Sequence, residues 1–433
     1  MKPVAVFWDQ SLLWGLLVYD ALCELEVPFQ LLTSEDIKNG ELFLYDLLLV
    51  PGGWSVHKTK NLGKEGERVI REFLSNGGIY IGFCGGAGMA ITGRGSLNIV
   101  PVERLPLKER LPSASGKVII KKTKEHPFWQ NGHETLQTSV WWPAQFLIRP
   151  QKSPVTIIAK YHSTSEGFWT SDIPYDKSYR DQIKHLEPFY GINLDPEKYL
   201  VGRPAIIEYR YNKGKLFLSY PHLETPGDRK SRLFLKHLIE IYSDTTLVKK
   251  NQRHRGSRKI GSCFPSKKHL QAGRKILEKV DHLIEFGKQH LLWFWRLPWL
   301  LGWKRGVRGL EYSMLYTCVS FLCEGLSLLA ANSHPNRTAK DVWSDRLLYL
   351  DRMISEFCSQ ARHLLFYERL ATTKRIFSKL DTINREIEPL RKRLFGTSMN
   401  HGGMCKEIFD VLDKLLLDTI RLLENQKLRV SLS

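Results

Sequence analysis

Residues Gly78-Ile79-Tyr80-Ile81-Gly82-Phe83-Cys84-Gly85-Gly86-Ala87-Gly88-Met89-Ala90 read as a short apolar strand, a glycine-rich turn and a helix start. No other stretch constrains the fold as much. A strand that turns directly into a helix is the repeating joint of a parallel sheet covered by helices. Glycines around the joint remove the Cβ clashes of a sharp turn and let a substrate approach the backbone. Cys84 sits at the tip, beside a helix N-terminus of the kind that favours negative charge.

The rest of residues 1–100 keeps the same alternation. Val4–Trp8 reads as a strand, Leu12–Leu25 as a helix, Phe29–Leu32 as a strand and Leu47–Val50 as a buried strand. Lys64–Leu74 carries Val69, Ile70, Phe73 and Leu74 at helical spacing before the Ile79–Ile81 strand. This pattern predicts an α/β fold with a mainly parallel sheet and helices on both faces. Ligands of such sheets bind beyond the carboxyl ends of the strands, where Cys84 falls. Residues 101–203 are richer in Pro, Trp and Tyr and predict short antiparallel additions, including a strand over Val155–Lys160. His126, His133, His162, Trp141, Trp142 and Trp169 lie here as core or as cleft wall. An amphipathic helix over Arg229–Tyr242 closes the region.

Lys215-Leu216-Phe217-Leu218-Ser219-Tyr220-Pro221-His222-Leu223-Glu224 reads as a strand ending in a histidine, with a carboxylate two residues on. A histidine beside a thiol can take its proton and later protonate a leaving group, and a carboxylate behind it fixes the imidazole tautomer. Such a site closes only if the Cys84 and His222 strands are neighbours.

Gly82-x-Cys84-x-Gly86 followed far downstream by His222-x-Glu224 resembles the class I glutamine amidotransferase-like superfamily, in particular the biotin–protein ligase N-terminal domain type. Asp46-Leu47-Leu48-Leu49-Val50-Pro51-Gly52-Gly53, His126-Pro127-Phe128-Trp129 and Gly202-Arg203-Pro204-Ala205-Ile206-Ile207 stand in the corresponding order. The resemblance covers about residues 1–244. It implies a flavodoxin-like amidotransferase fold with Cys84 as nucleophile, His222 as base and Glu224 as its orienting acid. It also implies an oxyanion hole of backbone N–H groups from Gly52, Gly53 and Gly85, each such donor worth about 10²–10³ in rate. The family's usual ending is His-Pro-Glu, whereas here Pro221 precedes the histidine and Leu223 follows it. No synthetase or biotin ligase catalytic domain accompanies these motifs, and Gly93-Arg94-Gly95 lacks the rest of the ligase pattern.

The implied function is a cysteine-dependent amidase or glutaminase-like hydrolase, or an acyl-transfer domain. The alternative is a non-catalytic binding, scaffold or redox-sensing protein that keeps the fold, with Cys84 inert or oxidisable. Nucleotide binding at the turn is disfavoured, because no third glycine and no Gly-Lys-Ser/Thr follows Gly88. No cofactor is expected.

The formal net charge of +19 is unevenly spread. Residues 1–244 carry 30 basic and 27 acidic side chains, against 34 and 18 in residues 245–433. The basic half is a candidate surface for a membrane, nucleic acid or an acidic protein; a solvated basic helical face is the alternative. The 7 cysteines form no Cys-x-x-Cys pair, so free thiols in a reducing compartment and no metal site are expected. Met1–Asp9 enters a strand pattern directly, and cytoplasm is the expected compartment, with peripheral membrane attachment as a variant.

Three parts follow: an α/β domain over 1–244, a basic linker over 245–268, and a basic all-α bundle over 269–433. Helical stripes run through Leu347–Leu365 and Ile408–Leu423. Leu291–Arg305, with Trp293, Trp295, Trp299 and Trp303, is too short and too interrupted by Arg296 and Pro298 to span a bilayer. It reads as a bundle helix end with packed tryptophans, or else as a membrane-interface segment.

Overall fold

The computed structural model describes residues 2–130, 132–149, 154–244, 264–332, 341–373, 387–397 and 401–432. The chain forms two compact units, Met1–Gln252 and Arg253–Ser433. Most of the expected basic linker, including Lys249–Lys259, lies outside the described residues.

The first unit is built on an 11-stranded sheet. Its parallel part consists of β1 (Val4–Phe7), β2 (Phe29–Leu32), β3 (Leu47–Val50) and β4 (Ile79–Phe83), linked by α1 (Leu12–Glu24), α2 (Ser34–Lys38) and α3 (Ser55–Ser75). After β4 come α4 (Gly85–Ala90) and the strands β5 (Glu103–Arg104), β6 (Ala114–Lys122), β7 (Thr135–Trp141), β8 (Phe146–Leu147), β9 (Val155–Thr164), β10 (Trp169–Thr170) and β11 (Ile173–Pro174). Two helices, α5 (Arg180–Tyr190) and α6 (Pro196–Tyr199), precede β12 (Pro204–Tyr211) and β13 (Gly214–Ser219), and α7 (Arg229–Asp244) ends the unit.

The strand order is β11-β10-β6-β9-β12-β13-β4-β3-β1-β2, with β7 on β6 and a separate β5–β8 pair. From β2 to β13 every neighbour is parallel, and beyond β13 every neighbour is antiparallel. The parallel core therefore has a doubly wound order, and residues 101–203 extend it as an antiparallel wing.

Burial follows the sequence. Strands β1, β3 and β4 are apolar and fully buried, as expected of strands covered on both faces. Helix α1 is apolar apart from Asp20 and its last residue, Glu24, and every residue from Leu12 to Cys23 is buried. Helix α3 begins earlier than the Lys64 stripe, because two helical segments meet at Gly63 (φ 59°, ψ −170°), a backbone state that glycine tolerates.

Buried charges tie these layers together. Arg232 on α7 donates from Nη2 to Asp20 of α1 (2.6 Å) and to the carbonyl of Glu224 (3.2 Å), and its Nε donates to the carbonyl of Thr225 (3.2 Å). It also meets Glu24. Lys58 of α3 is fully buried, reaches Ser11 and the carbonyl of Asp9 (3.1 Å), and lies over the Phe7 ring.

The second unit contains α8 (Lys267–Gln289), β14 (Trp293–Leu297), β15 (Leu300–Trp303), α9 (Gly309–Ala331), α10 (Val342–Thr373), α11 (Ile387–Phe395) and α12 (Gly403–Asn425). Helices α8, α9, α10 and α12 pack on one another as a bundle. Helix α9 is long and apolar enough to cross a membrane, but 61% of its most apolar stretch is buried inside the unit. The expectation of a helix end at Leu291–Arg305 is corrected: the segment is a β-hairpin. Pro298 stops any helix, and the tryptophans are seated where flanking helices carry glycine. A Cβ on Gly287 would lie 2.1 Å from the Trp293 ring, and one on Gly309 would lie 2.4 Å from Trp303. Trp293 Nε1 donates to the carbonyl of Ile284 (2.9 Å), and Trp299 is buried.

Replacing Arg232 by Met removes the cation facing Asp20 and the donor to the Glu224–Thr225 backbone. Unfolding by denaturant should show a loss of about 3–5 kcal/mol, the cost of breaking a buried ion pair. Unchanged stability would mean that Arg232 does not hold α7 to α1.

Candidate active site

Strands β4 and β13 lie side by side, with Phe83 opposite Ser219, so the two motif-bearing strand ends meet. The Cys84 amide donates to the carbonyl of Ser219 (2.8 Å), and the Cys84 carbonyl accepts from Gly88 (2.9 Å) as α4 begins. Between those bonds the chain turns sharply, at φ 47° and ψ −104°. A non-glycine residue there stores strain, on the order of 1–3 kcal/mol. The Cys84 side chain is half-buried.

The glycines around Cys84 are required by contact. A Cβ on Gly85 would lie 1.9 Å from the carbonyl oxygen of Gly53, and one on Gly86 would lie 2.1 Å from that of Val50. On Gly82 it would meet the Gly86 carbonyl carbon at 2.8 Å. The elbow thus rests directly on the β3–α3 turn, with Tyr80 Oη donating to the Gly86 carbonyl (2.7 Å) beneath it. Gly53 takes φ 102°, and its missing side chain leaves room for the carbonyl of Gln10. The N–H groups of Gly53 and Gly85 donate to no acceptor among the described residues.

Beyond β13 the chain continues through Tyr220 and Pro221 to His222, whose amide donates to the carbonyl of Ser139 on β7 (2.8 Å). The antiparallel wing therefore fixes this end of the site. His222 and Glu224 are both fully buried, with Nδ1 and Oε1 2.6 Å apart. Thr225 Oγ1 donates to the His222 carbonyl (3.1 Å) and accepts from Trp141 Nε1 (3.1 Å). Leu223 occupies the position between His222 and Glu224, and the two side chains still meet.

Burial opposes charge on His222, but the Glu224 carboxylate and the Cys84 thiol outweigh it and raise the imidazole to about 10. Its Nε2 is buried and forms no well-aligned hydrogen bond. Cys84 Sγ lies 4.0 Å from the carbonyl oxygen of Trp141. Cys84, His222 and Glu224 thus come together, and the Gly52–Gly53 turn abuts Gly85.

Several contributors had no sequence signal. Trp14 of α1 stacks against His222 with ring centres 5.0 Å apart, and a Cβ on Gly52 would lie 2.9 Å from the Trp14 ring. Trp14 thus fills the space between the turn and the imidazole, and Trp142 approaches its edge at 6.2 Å. Ser139 and Arg232 act through the backbone around His222 and Glu224. His126 lies elsewhere, 3.4 Å from Glu208. Among the described residues no group of His, Cys, Asp and Glu is arranged to hold a metal ion.

Residues 44–92, from the edge of β3 to just past the elbow, match the family model described as "Biotin-protein ligase, N terminal". No curated protein matches the chain. Solved structures similar to it include a protein provisionally assigned as a GMP synthase component from Thermoplasma acidophilum, at 15% identity over 56% of this chain and 96% of that one (TM-score 0.34). A glutamine amidotransferase from Thermotoga maritima is 17% identical over 56% and 84% (TM-score 0.31). A protein provisionally described as ThuA-like from Bacteroides uniformis is 12% identical over 57% and 93% (TM-score 0.37). The strand order makes the first unit a doubly wound α/β domain with an antiparallel wing, and its segment 44–92 is similar to the biotin–protein ligase N-terminal family.

Histidine with a raised folded pKa holds a proton that the unfolded chain releases above its ordinary value of 6.5. The unfolded state then binds fewer protons, so stability falls as pH rises. The contribution is fully present below about 6.5 and lost by about 10. Thermal unfolding across that window should show the decline in wild type and a flatter profile in His222→Gln. Parallel profiles would remove the ion pair from the account.

Proposed function

We propose that the first unit is a cysteine-dependent amidohydrolase or acyl-transfer domain. The observation that carries this reading is a thiol on a strained strand-end turn beside a fully buried His222–Glu224 pair just past the end of the neighbouring strand. Cys84 Sγ, relieved of its proton by His222 Nε2, attacks the carbonyl carbon of an amide. The carbonyl oxygen becomes an oxyanion and accepts from the N–H groups of Gly53 and Gly85, with Gly52 shaping the turn. Collapse breaks the C–N bond, the imidazolium protonates the departing amine, and a thioester remains on Cys84. His222 then takes a proton from water, whose oxygen attacks the thioester; the acid leaves and the thiol is restored. Glu224 holds the proton on Nδ1 throughout and stabilises the imidazolium.

Alkylation of Cys84 by iodoacetamide, followed by mass spectrometry, tests the Cys84–His222 pair without knowledge of the substrate. Labelling at neutral pH should slow by about 10²-fold in His222→Ala, the range of general-base assistance. Glu224→Gln should slow it less, and a screen of small amides should show turnover that Cys84→Ala abolishes. Equal labelling of wild type and His222→Ala would support instead a scaffold that keeps the fold without the chemistry.

For the second unit, we propose a role in localisation or partner binding, supported by its basic excess. Flotation with anionic vesicles should depend on residues 245–433 and weaken as salt rises. Flotation that survives their deletion would exclude a membrane role for this half.

A further inference from the structure

Trp142 is left unused by this chemistry, yet its place is fixed relative to both the thiol and the imidazole. It follows Trp141, whose carbonyl oxygen lies 4.0 Å from Cys84 Sγ. The Trp142 amide donates to the carbonyl of Ala114 on β6 (2.7 Å). On its other side the Trp141 indole is tied through Thr225 to the His222 carbonyl. The Trp142 ring stands 6.2 Å from that of Trp14 in a T-shaped pair, and Trp14 in turn lies against His222. The indole is thus carried by the residue next to one that touches the nucleophile's sulfur.

Neither the turn nor the core accounts for a tryptophan here. Trp142 takes φ 57°, a left-handed state that is an outlier for a bulky residue. Glycine or asparagine would hold the same turn with less strain. Trp14 and Trp141 are buried, whereas Trp142 is only half-buried, so its ring is not spent on packing. Backbone strain of this kind persists where the surrounding structure imposes it, and it gathers at ligand clamps and active sites. Cys84 is half-buried as well, and so is Trp54, directly after Gly53. A part-exposed indole beside a part-exposed thiol offers a rigid apolar wall, of the kind that lines small-molecule sites.

We propose that Trp142 determines specificity at this site: its indole receives a neutral aromatic group carried next to the amide carbonyl that Cys84 attacks. The substrate class is then an amide with an aromatic substituent rather than one with a polar side chain. This inference rests on the hydrolase reading for the attack, but on the placement of Trp142 alone for the preference, so the two fail separately.

The test is the rate at which Cys84 of the full chain is alkylated, read by mass spectrometry, with three iodoacetamides. Their N-substituents are benzyl, carbamoylmethyl and trimethylammonioethyl, and each rate is divided by that of the same reagent with a small free thiol. The benzyl reagent should saturate and run about 10-fold ahead of the carbamoylmethyl one, the factor that one aromatic pair supplies. Trp142→Phe should keep most of that ratio and Trp142→Ala should lose it; if Trp142→Ala does not fold, Trp142→Leu reads the same loss. The ratio compares two reagents on one variant, so a change in thiol reactivity moves both rates together and leaves it unaltered. Equal normalised rates in wild type, a ratio unchanged in Trp142→Ala or Trp142→Leu, or a lead for the cationic reagent would each overturn the proposal. Alkylation that does not depend on His222 would sink the hydrolase reading while leaving this ratio standing.

Discussion

The first unit depends on one contact between two stretches of backbone. The turn after β3 and the elbow after β4 approach so closely that neither Gly85 nor Gly86 has room for a side-chain carbon. This contact sets the position of Cys84 and brings the amides of Gly53 and Gly85 to the same place. Trp14 extends the stack, with one side under Gly52 and the other against His222. A largely apolar, buried first helix therefore serves the site directly.

Charge inside the unit is used to fix backbone. Lys58 holds the loop after β1, and Arg232 holds the segment that carries Glu224. Both are buried with their partners, which is the condition for such groups to be tolerated.

Much of this was legible in the sequence. Strands β1–β4 announce themselves as apolar runs, and the elbow is written in its glycines. The motif pair Cys84 and His222-x-Glu224 carried the site, because neighbouring parallel strands bring their carboxyl ends together. What stayed hidden depends on long-range placement. Nothing local distinguishes Trp14 from the other apolar residues of α1, or Arg232 from the basic face of α7. The hairpin at Trp293–Trp303 was hidden for another reason: its strands are short and carry no clear polar–apolar alternation, and helices flank it. The glycines that receive its rings, Gly287 and Gly309, belong to those helices.

The adjacency of β4 and β13 also bears on how the molecule comes into being. These strands are neighbours in the sheet, yet the whole antiparallel wing lies between them in the chain. Closing so long a loop delays their pairing relative to local contacts. During synthesis the thiol emerges well before its imidazole. Until β13 and α7 have left the ribosome, Cys84 sits on an unfinished sheet edge with no His222 beside it. The last elements of the unit to be made thus govern when Cys84 first meets His222.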